Sequence, residues 1–402
     1  MANTIKQKRG TTDPGASDLV VGELAINTTD GGVFTKTDGG TVVEVGSGGA
    51  GGGASAIDDL SDAVTYDSGV SIGLGTGALA SDDGTDNNNT AVGYQALNAT
   101  TSGAGNVGVG YQTLKANTTG IANVAVGNQA LTANTSGNRN VALGDGALVS
   151  CTTGGLNFAV GEAAGQSLTT GSSNFFMGRL AGRNITASGN NVCIGSQSGD
   201  GISGAFSNYN VAVGSNALSA GLTTGLTTAI GGNALVNSTG QGNTGIGYDA
   251  GNTTTSGTNV TCIGHDAEAS SATASNEITF GDANVSTLRC NTQTISSLSD
   301  ARDKTDVQEL PEGLDFISKL NPVKFQWQTR DGNGKDGTYE AGFIAQELQS
   351  AQQDADADYL GLVMDENPDR LEASYGKLVP MLVKAIQELK SEVEQLKANA
   401  NS

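Results

Sequence analysis

A glycine returns along this chain at residues 75, 93, 110, 127, 144, 161, 178, 195, 214, 231, 247, 264 and 281, within a repeat of the form Asn-x-Ala-Val-Gly-x-x-Ala-Leu followed by a Thr/Ser/Gly/Asn turn. Seventeen residues is the commonest spacing, and the others run from 16 to 19. A fixed period of this length marks a solenoid, in which each repeat is one structural unit stacked on the next. The residue before the glycine is apolar in every unit (Val92, Val126, Met177, Phe280), and the residue two before it is mostly small (Ala91, Ala125, Ala142, Cys193). Alternation of this kind is the period of a β-strand. The pattern therefore predicts a short strand ahead of each glycine, an inward alanine three residues after it, and then a polar turn.

A 17-residue coil has room for about two short strands and their turns. Counted as Val, Leu and Ala, its core is thin, and one coil cannot bury an apolar face alone. The expected fold is mainly β: a glycine-rich parallel β-roll or β-helix rod of 17-residue coils over 71–290. Several chains are expected to share its core, most simply three around one axis.

Composition agrees with a ladder and excludes several functions. Residues 15–310 contain no proline, and proline would interrupt a backbone ladder. The net charge is −21, from 41 acidic and 20 basic residues. Phosphate backbones and anionic membrane surfaces call for clustered Lys and Arg, so neither nucleic acid nor membrane is an expected partner. No apolar run is long enough for membrane insertion. The first residues lack the apolar stretch of a signal peptide, which predicts synthesis in a cytoplasm without ordinary export. Cys151, Cys193, Cys262 and Cys290 are too far apart for a zinc or redox motif, and no cofactor is expected.

The repeats show little sign of chemistry. Asp145, Glu162 and Asp200 occur singly in turns, without the fixed carboxylate pair of a glycosidase. His265 is the sole histidine, so a Ser-His-Asp triad would have to use it; the plainer reading is an exposed residue after the Gly264 turn. The repeats hold few aromatic residues, and several of them, among Phe158, Phe175, Phe176 and Phe280, fall in strand slots and read as core. Phe206 and Tyr209 fall in the one 19-residue spacing, an insertion of the kind that can form a binding face.

Both ends depart from the repeat. In residues 1–45, a strand over 19–27, a turn at Asp30-Gly31-Gly32 and a return strand over 33–36 predict a small β module. Residues 46–70 form a Gly-rich linker, flexible by composition at 46–53, and 291–298 form a second linker. Beyond 298 the 17-residue beat stops, and prolines and lysines appear. Residues 325–327 read as a strand, and 342–348 as a strand end turning into a helix. Tyr375, Val379, Leu382, Ile386, Leu389, Val393 and Leu396 make a heptad seam, predicting a coiled coil over 375–396 with Pro380 in its first turn. A helix packed on its own domain is the alternative.

Three resemblances give these segments functional content. Asn140-Val141-Ala142-Leu143-Gly144 and Asn210-Val211-Ala212-Val213-Gly214 resemble the head repeats of trimeric autotransporter adhesins and related phage tail fibres, which implies a homotrimer. Gly22-Glu23-Leu24-Ala25-Ile26-Asn27 and the strand ending at Lys36 resemble the N-terminal module of many phage tail fibres. The implied role is docking to other tail proteins, with capping of the rod as the alternative. Ser299-Asp300-Ala301-Arg302-Asp303-Lys304, then Leu320-Asn321-Pro322-Val323, Gly342-Phe343-Ile344-Ala345-Gln346-Glu347 and Tyr375-x-x-Leu378-x-Pro380, resemble the intramolecular chaperone of phage endosialidases and related tail spikes. That resemblance covers 299–402 and implies a self-cleaving peptidase, with Ser299 as nucleophile, Lys304 as general base and the cut between Leu298 and Ser299.

The function these readings imply is that of a phage tail fibre. It would trimerise with the help of a C-terminal chaperone, lose that chaperone by autoproteolysis, and attach the virion to a glycan or protein receptor on the host surface. A tail spike enzyme that degrades host glycan is the alternative; it would need an inserted domain or a carboxylate cleft, and neither is visible in the sequence.

Overall fold

The computed structural model describes residues 7–401 apart from 11–13, 16, 18, 20–23, 28–32, 37–40, 45–62, 67–70, 84–86, 221, 286, 290–298, 331–335 and 366. The turn at 30–32, the glycine run at 46–53, Cys290 and Leu298 lie outside the described residues. The chain divides into two compact units, Met1–Ser196 and Gln197–Ser402. Each contains a run of parallel β-solenoid, about 12 turns in all.

The first unit opens with a four-stranded sheet in chain order, Gln7–Gly10, Leu24–Asn27, Val33–Lys36 and Val42–Glu44. Its first pair is parallel and the next two are antiparallel. Leu19, Ala25 and Phe34 form its core. Strand Ala63–Tyr66, inside the segment read as linker, pairs antiparallel with Ser71–Leu74. From Ser71–Leu74 the sheet continues as parallel strands through Thr90–Val92, Val107–Val109 and onward to Val192–Ile194. Partners step by 17 residues, as in Val141↔Phe158 and Phe158↔Phe175.

One coil shows why this sequence folds so. Ala142 points inward and is fully buried, while Val141 and Leu143 point outward and are half-buried. Gly144 turns the chain at φ +136, and a Cβ there would lie 2.5 Å from the Gly161 carbonyl oxygen of the next coil. Only glycine allows so close an approach. Ala147 and Leu148 then turn inward, both fully buried. Leu148 has φ +51, and Leu97, Leu114 and Leu131 have the same left-handed backbone. That conformation costs about 1–2 kcal/mol for an L-residue. Burying the leucine side chain recovers about 1.5–3 kcal/mol, and the Leu148 N–H donates to the Ala164 carbonyl of the next coil at 3.0 Å.

From Thr90–Val92 to Phe175–Met177, each coil contains one three-residue strand rather than two. The rest is turn, yet it is laddered as fully: Gly146 N–H donates to Asn128 O at 2.9 Å, Thr152 N–H to Thr169 O at 2.9 Å, and Leu156 N–H to Asn138 O at 2.9 Å. Inside runs a second ladder, of side chains. Asn106, Asn123, Asn140, Asn157, Asn174 and Asn191 are all buried. The Asn140 Nδ2 donates to Asn123 Oδ1 at 3.1 Å and to Gly154 O at 2.9 Å, and Asn140 Oδ1 accepts from Asn157 N–H at 3.0 Å. Carboxamide stacks of this kind satisfy both ends of every side chain without water. With these asparagines, a single chain closes its own core. The thinness of a coil is therefore not what calls for additional chains.

The interior is repacked around one aromatic ring. Most coils place leucine four residues after the repeat glycine; Gly165, Gly182, Gly199 and Gly251 stand in that slot instead, and the strand between the first two carries Phe176 instead of alanine. Phe176 is fully buried. A Cβ at Gly165 would come within 2.7 Å of its ring, and one at Gly182 within 2.5 Å. Among the described aromatic side chains of the repeats, Phe176 is the one in the core. Phe158 and Phe175 face outward and stack at 4.7 Å, Tyr94 stacks on Tyr111 at 5.4 Å, and Phe280 is exposed, contrary to the sequence expectation. Their slots face away from the core because the strand's middle residue is the inward one.

In the second unit, parallel strands Val211–Val213, Thr228–Ile230, Thr244–Ile246, Thr261–Ile263 and Ile278–Phe280 repeat the same coil. The 19-residue spacing is absorbed by strand Ile202–Phe206, which pairs with Leu222–Thr224 as a separate two-stranded sheet. The C-terminal region holds helices α1 (Leu314–Ile317), α2 (Ala345–Asp354) and α3 (Val379–Ala400) and an antiparallel pair, Val323–Gln326 with Tyr339–Gly342. Phe316, Leu362, Leu378 and Met381 form its core. Pro380 lies in the first turn of α3. One face of α3 packs on its own domain through Met381 and Ala385, and its Glu388 accepts a 2.7 Å hydrogen bond from Leu314 N–H at the start of α1. The heptad seam lies on another face, where Val379, Leu382, Ile386, Leu389, Val393 and Leu396 are exposed.

Candidate self-cleavage site

Beyond the last coil, the chain enters the C-terminal region through Ser299, Asp300 and a single 3-10 turn, Ala301–Asp303. Asp300 stands at its N-cap with extended backbone, and its carboxylate accepts from Arg302 N–H at 2.9 Å. An Asp side chain bonding the backbone two residues on is a standard way of starting a turn. The same carboxylate receives the Arg302 guanidinium, Nε at 3.0 Å and Nη2 at 2.6 Å. Arg302 holds the Asp300 carboxyl below the usual carboxylate range, and Asp300 in turn raises Arg302. The turn closes with Asp303 N–H on Asp300 O and Lys304 N–H on Ala301 O.

Closing the turn returns Lys304 to Ser299. The Lys304 Nζ is 2.6 Å from Ser299 Oγ and 3.5 Å from Ser299 O. Five extended residues would set the two α-carbons about 17 Å apart, so the turn is what brings the groups together. Both residues are exposed, as are their neighbours to Glu309. A hydroxyl in contact with an amine has the geometry of a nucleophile beside a base. The structure thus brings together the two residues singled out in the sequence. Leu298, on the other side of the bond, lies outside the described residues. Sequence reasoning passed over Asp300 and Arg302 as a clamp. The Asp-x-Arg spacing next to the serine was the available signal.

The remaining candidates stand elsewhere. His265 is exposed; its Nδ1 lies 3.0 Å from the Asp266 carboxylate and its ring stacks on Tyr248 at 5.7 Å. It pairs with a carboxylate, not with a serine. His265, Asp266 and Asp282 each bring one potential ligand atom within 4.8 Å of the others, but the Asp282 carboxylate already accepts from Asn284 N–H and Nδ2. Cys151, Cys193 and Cys262 are buried free thiols in three different coils. Among the described residues, no helix is long and apolar enough to cross a membrane.

Residues 299–357 match the family model of a peptidase, described as the chaperone of endosialidase. The match begins at Ser299 and includes the whole turn. No curated protein and no solved structure matches the chain. A β-solenoid followed by a segment that matches this model fits a tail fibre or tail spike with a C-terminal chaperone, and the match is to a family of self-cleaving peptidases.

Proposed function

We propose that this chain is a phage tail fibre protein, a homotrimer that attaches the virion to its host, and that its C-terminal chaperone removes itself by Ser–Lys autoproteolysis between Leu298 and Ser299. The observation that carries the reading is the 2.6 Å contact between Ser299 Oγ and Lys304 Nζ at the first residue of the family match. In the proposed reaction, Ser299 Oγ bonds to the Leu298 carbonyl carbon and its proton passes to Lys304 Nζ. The Leu298–Ser299 C–N bond then breaks, with the nitrogen taking that proton. Water hydrolyses the resulting ester, leaving a carboxylate on 1–298 and a free amine and hydroxyl on 299–402. A lysine acts as a base where burial lowers its pKa. The dyad is open to solvent in one chain, so covering by neighbouring chains would tie cleavage to assembly.

Two apolar surfaces support the trimer. The outward strand residues form paired apolar rows, Val107/Val109, Val124/Val126 and Val141/Leu143 among them, and contiguous apolar rows are the kind of surface on which chains associate. The exposed seam of α3 is the second, with the period of a coiled coil. The N-terminal sheet is assigned to the other tail proteins, and the surface of the coils to a host receptor, glycan or protein. Synthesis takes place in the host cytoplasm and the mature protein resides in the virion tail.

Intact mass of the purified full-length chain tests the reaction. The expected products are 1–298 and 299–402. Ser299→Ala should remain uncut while assembling normally. Lys304→Arg, which keeps the charge but cannot give up its proton, should also remain uncut. Cleavage at this bond in either variant would overturn the dyad.

A further inference from the structure

We infer that Asp300 is the positioning residue of the self-cleavage site: by capping the 301–303 turn and clamping Arg302, it holds the Lys304 amine against the Ser299 hydroxyl. The inference rests on the Ser–Lys reading above and assigns what builds that geometry. The turn buries no residue, so packing does not hold it. Its own backbone bonds are long, 3.2 Å for Asp303 N–H to Asp300 O and 3.3 Å for Lys304 N–H to Ala301 O, against about 2.9–3.0 Å for a typical bond of this kind. The Asp300 side chain makes the shorter contacts, at 2.9, 3.0 and 2.6 Å, and those to the guanidinium are charge-assisted. The carboxylate is thus the strongest link in the turn that carries Lys304 back over Ser299.

Two consequences separate positioning from stability and from proton transfer. An exposed ion pair contributes little to global stability, and Arg302 is 88% exposed. Removing it should leave folding and assembly intact. The depressed Asp300 carboxyl stays ionised from neutral pH down through the ordinary carboxylate range, and the clamp is lost only as pH falls below it. Throughout the range in which a lysine titrates, the clamp is constant, so Asp300 sets the level of the rate and leaves the shape of the pH profile to other groups.

The test measures self-cleavage half-time against pH in the full-length chain, with light scattering for assembly, on Asp300→Ala, Asp300→Asn and Arg302→Ala, beside Ser299→Ala and Lys304→Arg. Asp300→Ala should cleave roughly a hundredfold more slowly, the scale of a small misplacement of reacting groups, with assembly and the pH midpoint unchanged. Asp300→Asn keeps an acceptor for Arg302 N–H but loses the ionic clamp, so its loss should be smaller, roughly tenfold, and Arg302→Ala should resemble it. A wild-type rate in Asp300→Ala overturns the inference. So does a shifted midpoint, which would give the carboxylate a part in proton transfer. Should Asp300→Ala fail to assemble, Asp300→Asn decides, and an unchanged rate there overturns the clamp. Cleavage by Ser299→Ala would sink the Ser–Lys reading itself, whereas uncut Ser299→Ala beside normal Asp300 variants would sink only this inference.

Discussion

At the scale of the residue, the solenoid is organised by asparagine. Asn140 donates to the coil before it and to its own coil's Gly154, and accepts from the coil after it. The carboxamide is needed because it offers donor and acceptor at once. Asn140→Asp keeps the shape but loses the donors and places a carboxyl where water is excluded. The expected cost is on the order of 3 kcal/mol, read as a lower unfolding temperature. The pH dependence has a definite sign. Burial would raise the folded-state pKa of the new carboxyl above its unfolded value. The loss should therefore be smallest near pH 4 and grow with rising pH until the folded-state pKa is passed. An equal loss at pH 4 and pH 7 would contradict the buried ladder. These asparagines also explain what the sequence did not disclose. Counting Val, Leu and Ala made each coil's core look too thin for one chain, because the buried polar half of that core is not apolar.

At the scale of the element, periodicity made most of the fold legible. The strands fall directly before the repeat glycines because the glycine is the turn that ends them. The helix after 344 and the start of α3 at Val379 fall where the sequence places them, whereas the strand read at 325–327 lies two residues earlier, at Val323–Gln326, and leaves Trp327 outside it. Two features were illegible. Leucine in the left-handed region contradicts its own preference, and only the neighbouring coil's carbonyl makes it intelligible. The Asp300 clamp lies in an exposed turn without any apolar pattern. The Ser299 and Lys304 candidates were legible through a resemblance, and not through spacing alone. Helix α3 offers an element-scale prediction. Ile386 and Leu389 belong to the exposed seam and are absent from the core of their own domain. Ile386→Asp with Leu389→Asp should leave each chain's C-terminal domain folded by circular dichroism but abolish trimers in light scattering. Trimers in the double variant would remove the seam from the assembly.

At the scale of the whole molecule, the chaperone should be needed to reach the fibre and not to keep it. Partners along the coils stand only 17 residues apart, but in the proposed trimer nearly regular repeats could pair one whole unit out of register, so the chains need a common start. The expectation is that 1–298 expressed alone aggregates, while the same fragment released by self-cleavage stays trimeric and unfolds only slowly. The buried thiols supply the readout. Burial pushes Cys151 and Cys262 up to about 11 and raises Cys193 as well, so all three should resist alkylation at pH 8 in the released fragment and react at once in a misfolded one. Native, thiol-protected trimers from the truncated chain would refute the chaperone role. The 17-residue step of the asparagine ladder has a consequence for inheritance. Between Asn106 and Asn191, where that step is constant, unequal recombination in the gene would delete or duplicate a whole coil and rejoin each ladder bond with an equivalent partner, so the number of coils can drift without a folding defect. The block from Leu148 to Gly182 is the exception: Phe176 fits only between Gly165 and Gly182. Crossovers inside it would leave a ring without space or a space without a ring, and length variants should break elsewhere.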